Sequence, residues 1–289
     1  MCYSNCSPDA APTTREILEW IFPGPIDVKH QSVSQKRVKG SGEWFINSSE
    51  FQSWVSGKSS GLLYCPGKGH NPPFPYCLTI SWCWENSDDV FLSRLSLLQS
   101  RSAVVDELLT RTADEIVGVA YYYFDLATRD AGGGTSLQVM GSVCKQMIKT
   151  TGVIPQEVYT LYQTLQQSRE PLNISDLKRI LISISGQSSS NFIILDALDN
   201  CLDARRMSEL DKLLDILKEL SMSIKICATA RPESMKIKHF FAAAPTIKIV
   251  ADEKDIRRYL DTAVETIDSV DPEEKRQIVD KLVISAKGL

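Results

Sequence analysis

Long apolar runs are missing from this sequence. No stretch approaches the roughly 20 residues that a membrane-spanning helix needs, so no membrane partner is expected. A basic excess is missing too: 32 Lys and Arg stand against 36 Asp and Glu, leaving a net charge of −4. Without a broad positive field, nucleic acid is not an expected partner. Histidine is scarce, at three residues, and the eight cysteines include no Cys-x-x-Cys pair. A zinc set of Cys65, His70, Cys77 and Cys83 therefore lacks the usual ligand spacing and is set aside. The cysteines are scattered among apolar residues, which points to reduced, intracellular use rather than a disulfide framework. The opening residues, MCYSNCSPDAAP, lack the basic region and apolar core of a secretory leader, so a cytoplasmic location is expected.

The composition, 43% hydrophobic and 24% charged, suits a folded globular chain. At 289 residues there is room for one large domain or two ordinary ones. Residues 1–59 read as an N-terminal helical lead-in. Within it, Thr14 to Phe22 has apolar residues at helical spacing, and Pro23-Gly24-Pro25 ends that helix. A polar, basic stretch from Asp27 to Gly42 follows without a predicted element. Ser48 is then a helix cap, with Glu50 in the first turn and Gly57 after the last.

From residue 60 the sequence predicts a larger unit. Gly61 to Cys65 is a short apolar strand. Helices are expected at 102–112, after the Thr135 cap with Leu137, Met140, Cys144, Met147 and Ile148 at helical spacing, and at 155–166, 174–184, 207–220, 234–240, 253–266 and 272–286. Strands are expected at 116–124, 192–195, 224–229 and 246–250. Several of these strands are apolar throughout, as in a parallel sheet covered on both faces. The fold class that follows is α/β, a three-layer parallel sheet flanked by helices, with short N-terminal helices. In such sheets chemistry gathers at the carboxyl ends of the strands.

Three motifs fall there. In NFIILDALDNC a buried strand ends in Asp196, with Asp199 three residues on. A carboxylate at that position can hold Mg²⁺ beside nucleotide phosphates, and Asp199 can orient or deprotonate an attacking water. The same letters also describe a strand ending in an Asp-rich turn. In IKICATARPE a strand ends next to Arg231, whose guanidinium suits a γ-phosphate, or merely solvent. The third motif is a phosphate loop of the form Gly-x-x-x-x-Gly-Lys-Ser/Thr, whose backbone N–H groups wrap phosphates. Only Gly67-Lys68 is in place; Ser102, at the start of the next helix, is what should follow the lysine. Between them, residues 69–101 contain no Lys and no Ala but hold Pro72, Pro73 and Pro75. A loop of that length inside a compact domain is itself anomalous.

The pieces KHQSVSQKRVKGSGEWFINSSEFQSWV, GLLYCPGK, SAVVDELL, VAYYYFDL, SLQVMGSVCKQMI, FIILDALDNC, KICATARPE and DIRRYL, in this order, resemble the fungal NACHT-type NTPases of the nephrocystin 3-like N-terminal domain group. These are signal-transduction ATPases with numerous domains (STAND proteins). The resemblance covers most of residues 14–289 except 69–101. It implies a P-loop NTPase fold over residues 60–289 and a nucleotide-dependent signalling switch using Mg²⁺ and ATP or GTP. Protein partners or self-association are implied as well. By position it makes Asp196 the Mg²⁺ ligand, Asp199 the catalytic acid, Arg231 the γ-phosphate sensor, and Gly67, Lys68 and Ser102 the nucleotide-binding residues.

The chain departs from the family pattern at several points. Asn200 stands where the family commonly has Glu, Ala230 where Ser is usual, and the phosphate loop is interrupted. Removing 69–101 would restore Gly-Lys-Ser but not the whole loop, since Gly61 lies one residue too far from Gly67. The expectation is an inserted segment, such as translated intron, in a switch module whose nucleotide binding and hydrolysis are weakened or lost. A catalytically dead interaction module that keeps the fold is the competing expectation. For Gly40 to Trp44 (GSGEW), two readings stand: contact with a nucleotide base, or packing by Trp44.

Overall fold

A computed structural model describes residues 12–35, 37–67, 102–111, 115–125, 133–201, 207–249, 252–265 and 271–287. Lys68 and the anomalous stretch 69–101 lie outside them, as do His70, Cys77 and Cys83.

Four strands form the sheet: β1 (Leu62–Pro66), β2 (Val117–Tyr123), β3 (Ser190–Asp196) and β4 (Lys225–Ala230). Their order is β1-β4-β3-β2 and every pairing is parallel. The strand expected at 246–250 is reduced to two parallel bridges, Tyr64 with Thr246 and Gly67 with Ile249, along the outer edge of β1.

Alternation along the strands explains the layers. Tyr64, Ala120, Ile193, Leu195, Ile226 and Ala228 point to one face. There they pack on α1 (Thr14–Ile21), α6 (Ser136–Thr151), α8 (Ile174–Ser185), α9 (Met207–Leu220) and α10 (Met235–Phe240). Leu63, Cys65, Val119, Tyr121, Phe192, Ile194 and Cys227 point to the other face. They meet α4 (Ser49–Val55) and α5, the helix 102–110. Each large apolar side chain buried in these layers contributes about 1.5–3 kcal/mol. Two further helices, α11 (Glu253–Glu265) and α12 (Pro272–Lys287), form a hairpin with its own small core of Ile256, Leu260, Val264, Val279 and Val283. Between α6 and α8 runs α7 (Gln156–Ser168), which buries Val158 and Leu165. None of the helices described is long and apolar enough to cross a membrane.

The lead-in is bolted to the sheet. Thr13 and Glu16 form a capping box that starts α1, and Ile17 and Ile21 turn inward. The buried Lys145 of α6 donates to Glu19 Oε1 at 2.7 Å and to the carbonyl oxygens of Phe22 and Gly24 at 2.8 and 3.3 Å. The polar, basic stretch from Asp27 to Gly42, to which the sequence assigns no element, is partly helical. It contains α2 (Val28–Ser34), and a short α3 (Glu43–Ile46) follows directly after Gly42. What the charge pattern hides is the pair His30 and Val33, the two residues α2 buries. His30 bonds through its two ring nitrogens to Tyr123 Oη at 2.8 Å and Asp106 Oδ1 at 2.9 Å, and Arg37 joins Asp106 at 2.8 Å. These bonds tie α2 to both β2 and α5.

Gln146 and Thr150 occupy the outer side of β2. Gln146 accepts from the Tyr121 N–H at 3.0 Å and donates to the Tyr121 carbonyl at 2.8 Å. The Thr150 hydroxyl accepts from the Val119 N–H at 3.0 Å and lies 3.2 Å from the Val119 carbonyl oxygen. A primary amide carries the donor and acceptor of a peptide group, so α6 imitates the next strand and covers the edge.

Candidate functional site

β3 ends in Asp196, paired with Tyr123 on one side, while Leu195 pairs with Ala228 of β4 on the other. The next β4 residue, Thr229, therefore lies beside the carboxylate. Thr229 Oγ1 donates to Asp196 Oδ1 at 2.6 Å and accepts from the Ala197 N–H at 2.8 Å. Ala197 turns the chain with φ +54°, a left-handed conformation that costs a non-glycine residue about 1–2 kcal/mol. The turn runs into a single 3₁₀ turn, Leu198–Cys201, which brings Asp199 back to the rim. Asn200 closes it: its N–H donates to the Ala197 carbonyl at 2.8 Å, and its side-chain amide donates to the Phe124 carbonyl at 3.1 Å. At this position the asparagine acts as a brace between β3 and the end of β2.

Asp199 is 4% exposed and holds Arg231 twice. The Arg231 backbone N–H donates to Oδ1 at 3.1 Å, and its Nε donates to Oδ2. Asp196, Asp199 and Arg231 thus share one patch at the carboxyl ends of β3 and β4. Gly67 borders it: Pro66 pairs with Ala230, and the Gly67 N–H donates to the Ala230 carbonyl at 3.2 Å. That N–H is spent on the sheet ladder, and Gly67 is the last described residue of this segment. Gly61 is structural as well. A Cβ there would meet the Ser221 carbonyl oxygen at 2.2 Å, so the start of β1 admits only glycine. Ser102 is the first described residue of α5 and is fully buried.

Two residues escaped the sequence reading. The sequence places Thr229 only at the end of a strand, as the hydroxyl residue that follows the apolar run Ile226-Cys227-Ala228. Tyr64 is 5% exposed, stacks on Phe241 at 5.3 Å, and its hydroxyl has no hydrogen-bond partner among the described residues. Burial raises its phenol pKa, and the negative charge of Asp199 adds to the shift. No sequence signal marks it. Of GSGEW, Gly42 N–H donates to Asp255 Oδ2 at 2.8 Å and Arg258 donates to the Gly40 carbonyl, which fixes this loop to the start of α11. Trp44 packs edge-on against Phe45 at 5.6 Å.

Among the described residues no three His, Cys, Asp or Glu side chains converge as a metal cage. Mg²⁺ bound beside phosphates needs only one or two carboxylates, its other ligands being phosphate oxygens and water. A rim acid held like Asp196 fits that requirement.

Comparison with known proteins agrees with part of this picture. Residues 100–231 match the family model described as Nephrocystin 3, N-terminal. No curated protein sequence matches the chain. Among solved structures, the chain is similar to the replication initiator DnaA bound to AMPPCP and single-stranded DNA, at 13% identity and TM-score 0.28, covering 63% of this chain and 54% of that one. AMPPCP-bound DnaA from Aquifex aeolicus gives 13% identity, TM-score 0.28 and coverages of 63% and 55%. The chain spans about half the length of these structures, and a superposition this loose adds nothing to the strand order described above.

Proposed function

We propose that this chain is a nucleotide-dependent switch module of the NACHT and STAND kind, impaired in nucleotide binding by its interrupted phosphate loop. The observation that carries the reading is the convergence of Asp196, Asp199 and Arg231 at the carboxyl ends of two adjacent parallel strands, with the end of β1 beside them. In this reading Asp196 holds Mg²⁺, which neutralises phosphate charge when bound with ATP or GTP. Lys68 and Ser102 contact the nucleotide, Gly67 leads the chain into the loop, and protein partners or self-association read out the state. Arg231 senses a γ-phosphate by leaving Asp199, and Asp199, once released, orients water.

The family match begins at residue 100, just where the anomalous composition of 69–101 ends. This supports an insertion between the two halves of one loop. The competing reading, an interaction module without nucleotide chemistry, draws on that same break.

Calorimetry separates them. The chain as it stands is expected to show no micromolar Mg²⁺-ATP or Mg²⁺-GTP binding. A version with 69–101 replaced by a complete Gly-x-x-x-x-Gly-Lys loop ending at Ser102 is expected to bind, and Asp196→Ala in that version should weaken the Mg²⁺-dependent part. A folded, repaired chain that binds no nucleotide refutes the switch reading.

A further inference from the structure

Thr229 lies two residues before Arg231 on β4 and is 7% exposed. Its hydroxyl has one proton to give. With the Ala197 N–H approaching the oxygen at 2.8 Å, that proton goes to Asp196 Oδ1, 2.6 Å away. A β-branched side chain has few χ1 choices, so the strand itself sets where this hydroxyl lies. One side chain thus holds both the carboxylate at the end of β3 and the left-handed turn that follows it.

We propose that Thr229 is the positioning residue for divalent-cation binding at Asp196. It rests on the reading that the sheet rim takes a Mg²⁺-nucleotide; Thr229 itself touches neither metal nor phosphate. A carboxylate free to rotate must be ordered when a cation binds. One already held by a neighbouring strand is spared that ordering, and its remaining orientation is defined. Hydrogen-bond partners of ligating side chains typically alter metal affinity by about 10–100-fold.

A purely structural role, support of the Ala197 turn, is separable by mutation. Thr229→Val keeps the shape and loses both hydrogen bonds, while Thr229→Ser keeps both. Ala197→Gly relieves the left-handed residue and so offsets the loss of turn support in the double variant Thr229→Val, Ala197→Gly. The full chain with 69–101 replaced by the complete loop ending at Ser102, as above, and its variants are titrated with Mn²⁺, alone and with millimolar ATP, and bound metal is read by electron paramagnetic resonance beside thermal melts.

Thr229→Val and the double variant should need about 10–100-fold more Mn²⁺ than the parent chain, while Thr229→Ser and Ala197→Gly follow the parent. Recovery of metal binding when Ala197→Gly restores the melt would overturn the proposal and leave Thr229 a turn support only. Thr229-dependent Mn²⁺ binding indifferent to ATP would support it while removing the nucleotide reading. A parent chain that retains no Mn²⁺ under either condition overturns both.

Discussion

Arg231 and Asp199 form an unequal pair: the carboxylate side chain is 5% exposed and the guanidinium side chain 39%. The two partners should therefore respond differently to truncation. Arg231→Ala leaves a buried carboxylate with only the backbone N–H of residue 231, at an expected cost of about 1–3 kcal/mol. Asp199→Ala leaves a cation that water already reaches, at an expected cost under about 1 kcal/mol. Urea midpoints at neutral pH check the order, and the reverse order would mean that another group carries the Asp199 charge. The pair also bears on the proposed switch, because Arg231 cannot serve a phosphate and Asp199 at once.

Gln146 should matter more than a surface-helix glutamine. It is 3% exposed and satisfies both backbone groups of Tyr121. Gln146→Leu strands one donor and one acceptor, for roughly 2–4 kcal/mol in total. It also uncovers an edge rich in tyrosine, which invites strand pairing between copies. A lower melting temperature together with concentration-dependent elution on gel filtration is the expected result. A variant that is as stable as the parent and monomeric would show that the edge needs no cover.

Glu209 gives a pH dependence with a defined sign. Its carboxylate accepts from Lys212 at 2.8 Å and from the Ser136 N–H and hydroxyl at 2.9 and 2.7 Å, capping the start of α6 from another helix. The Lys212 bond first, then the Ser136 bonds, lower its pKa from 4.5 to about 2. A pKa lower in the folded chain means the stabilisation is complete above the unfolded value and is lost as pH falls from about 4.5 towards 2. Urea unfolding at a series of pH values should show Glu209→Gln losing less stability than the parent across that window. Parallel curves would mean that the cap does not titrate with folding.

Tyr64→Phe removes a buried hydroxyl without a hydrogen-bond partner and keeps the ring stacked on Phe241. Stability should be unchanged or higher by about 1 kcal/mol. A loss of more than about 1 kcal/mol in denaturant titration would reveal that the hydroxyl has a partner in solution.

Local signals recovered most elements because each carries its own physics. Thr135 caps α6 with Gln138 in a capping box, and Ser48 caps α4 by accepting the Phe51 N–H. Helix ends marked this way are legible one residue at a time. By contrast α2 carries no side-chain cap bond, and its only buried residues are His30 and Val33. Its place depends on Asp106 and Tyr123, both distant in sequence, so periodicity passed over it. Leu137, expected among the apolar residues at helical spacing in α6, is 44% exposed. Of the strand expected at 246–250, the described residues 246–249 form two bridges on β1 rather than a continuous ladder.

The sequence by itself determined the alternation of strands and helices, the burial of strands on both faces, and the delivery of Asp196 to a strand end. Period, apolar run length and capping chemistry are local properties that a chain carries whatever its fold. Tertiary structure alone decided that β4 lies between β1 and β3. That order sets Thr229 against Asp196 and Arg231 against Asp199. Hydrogen-bonding partners drawn from separate strands follow from strand order and register, and neither is written in any single stretch of the chain.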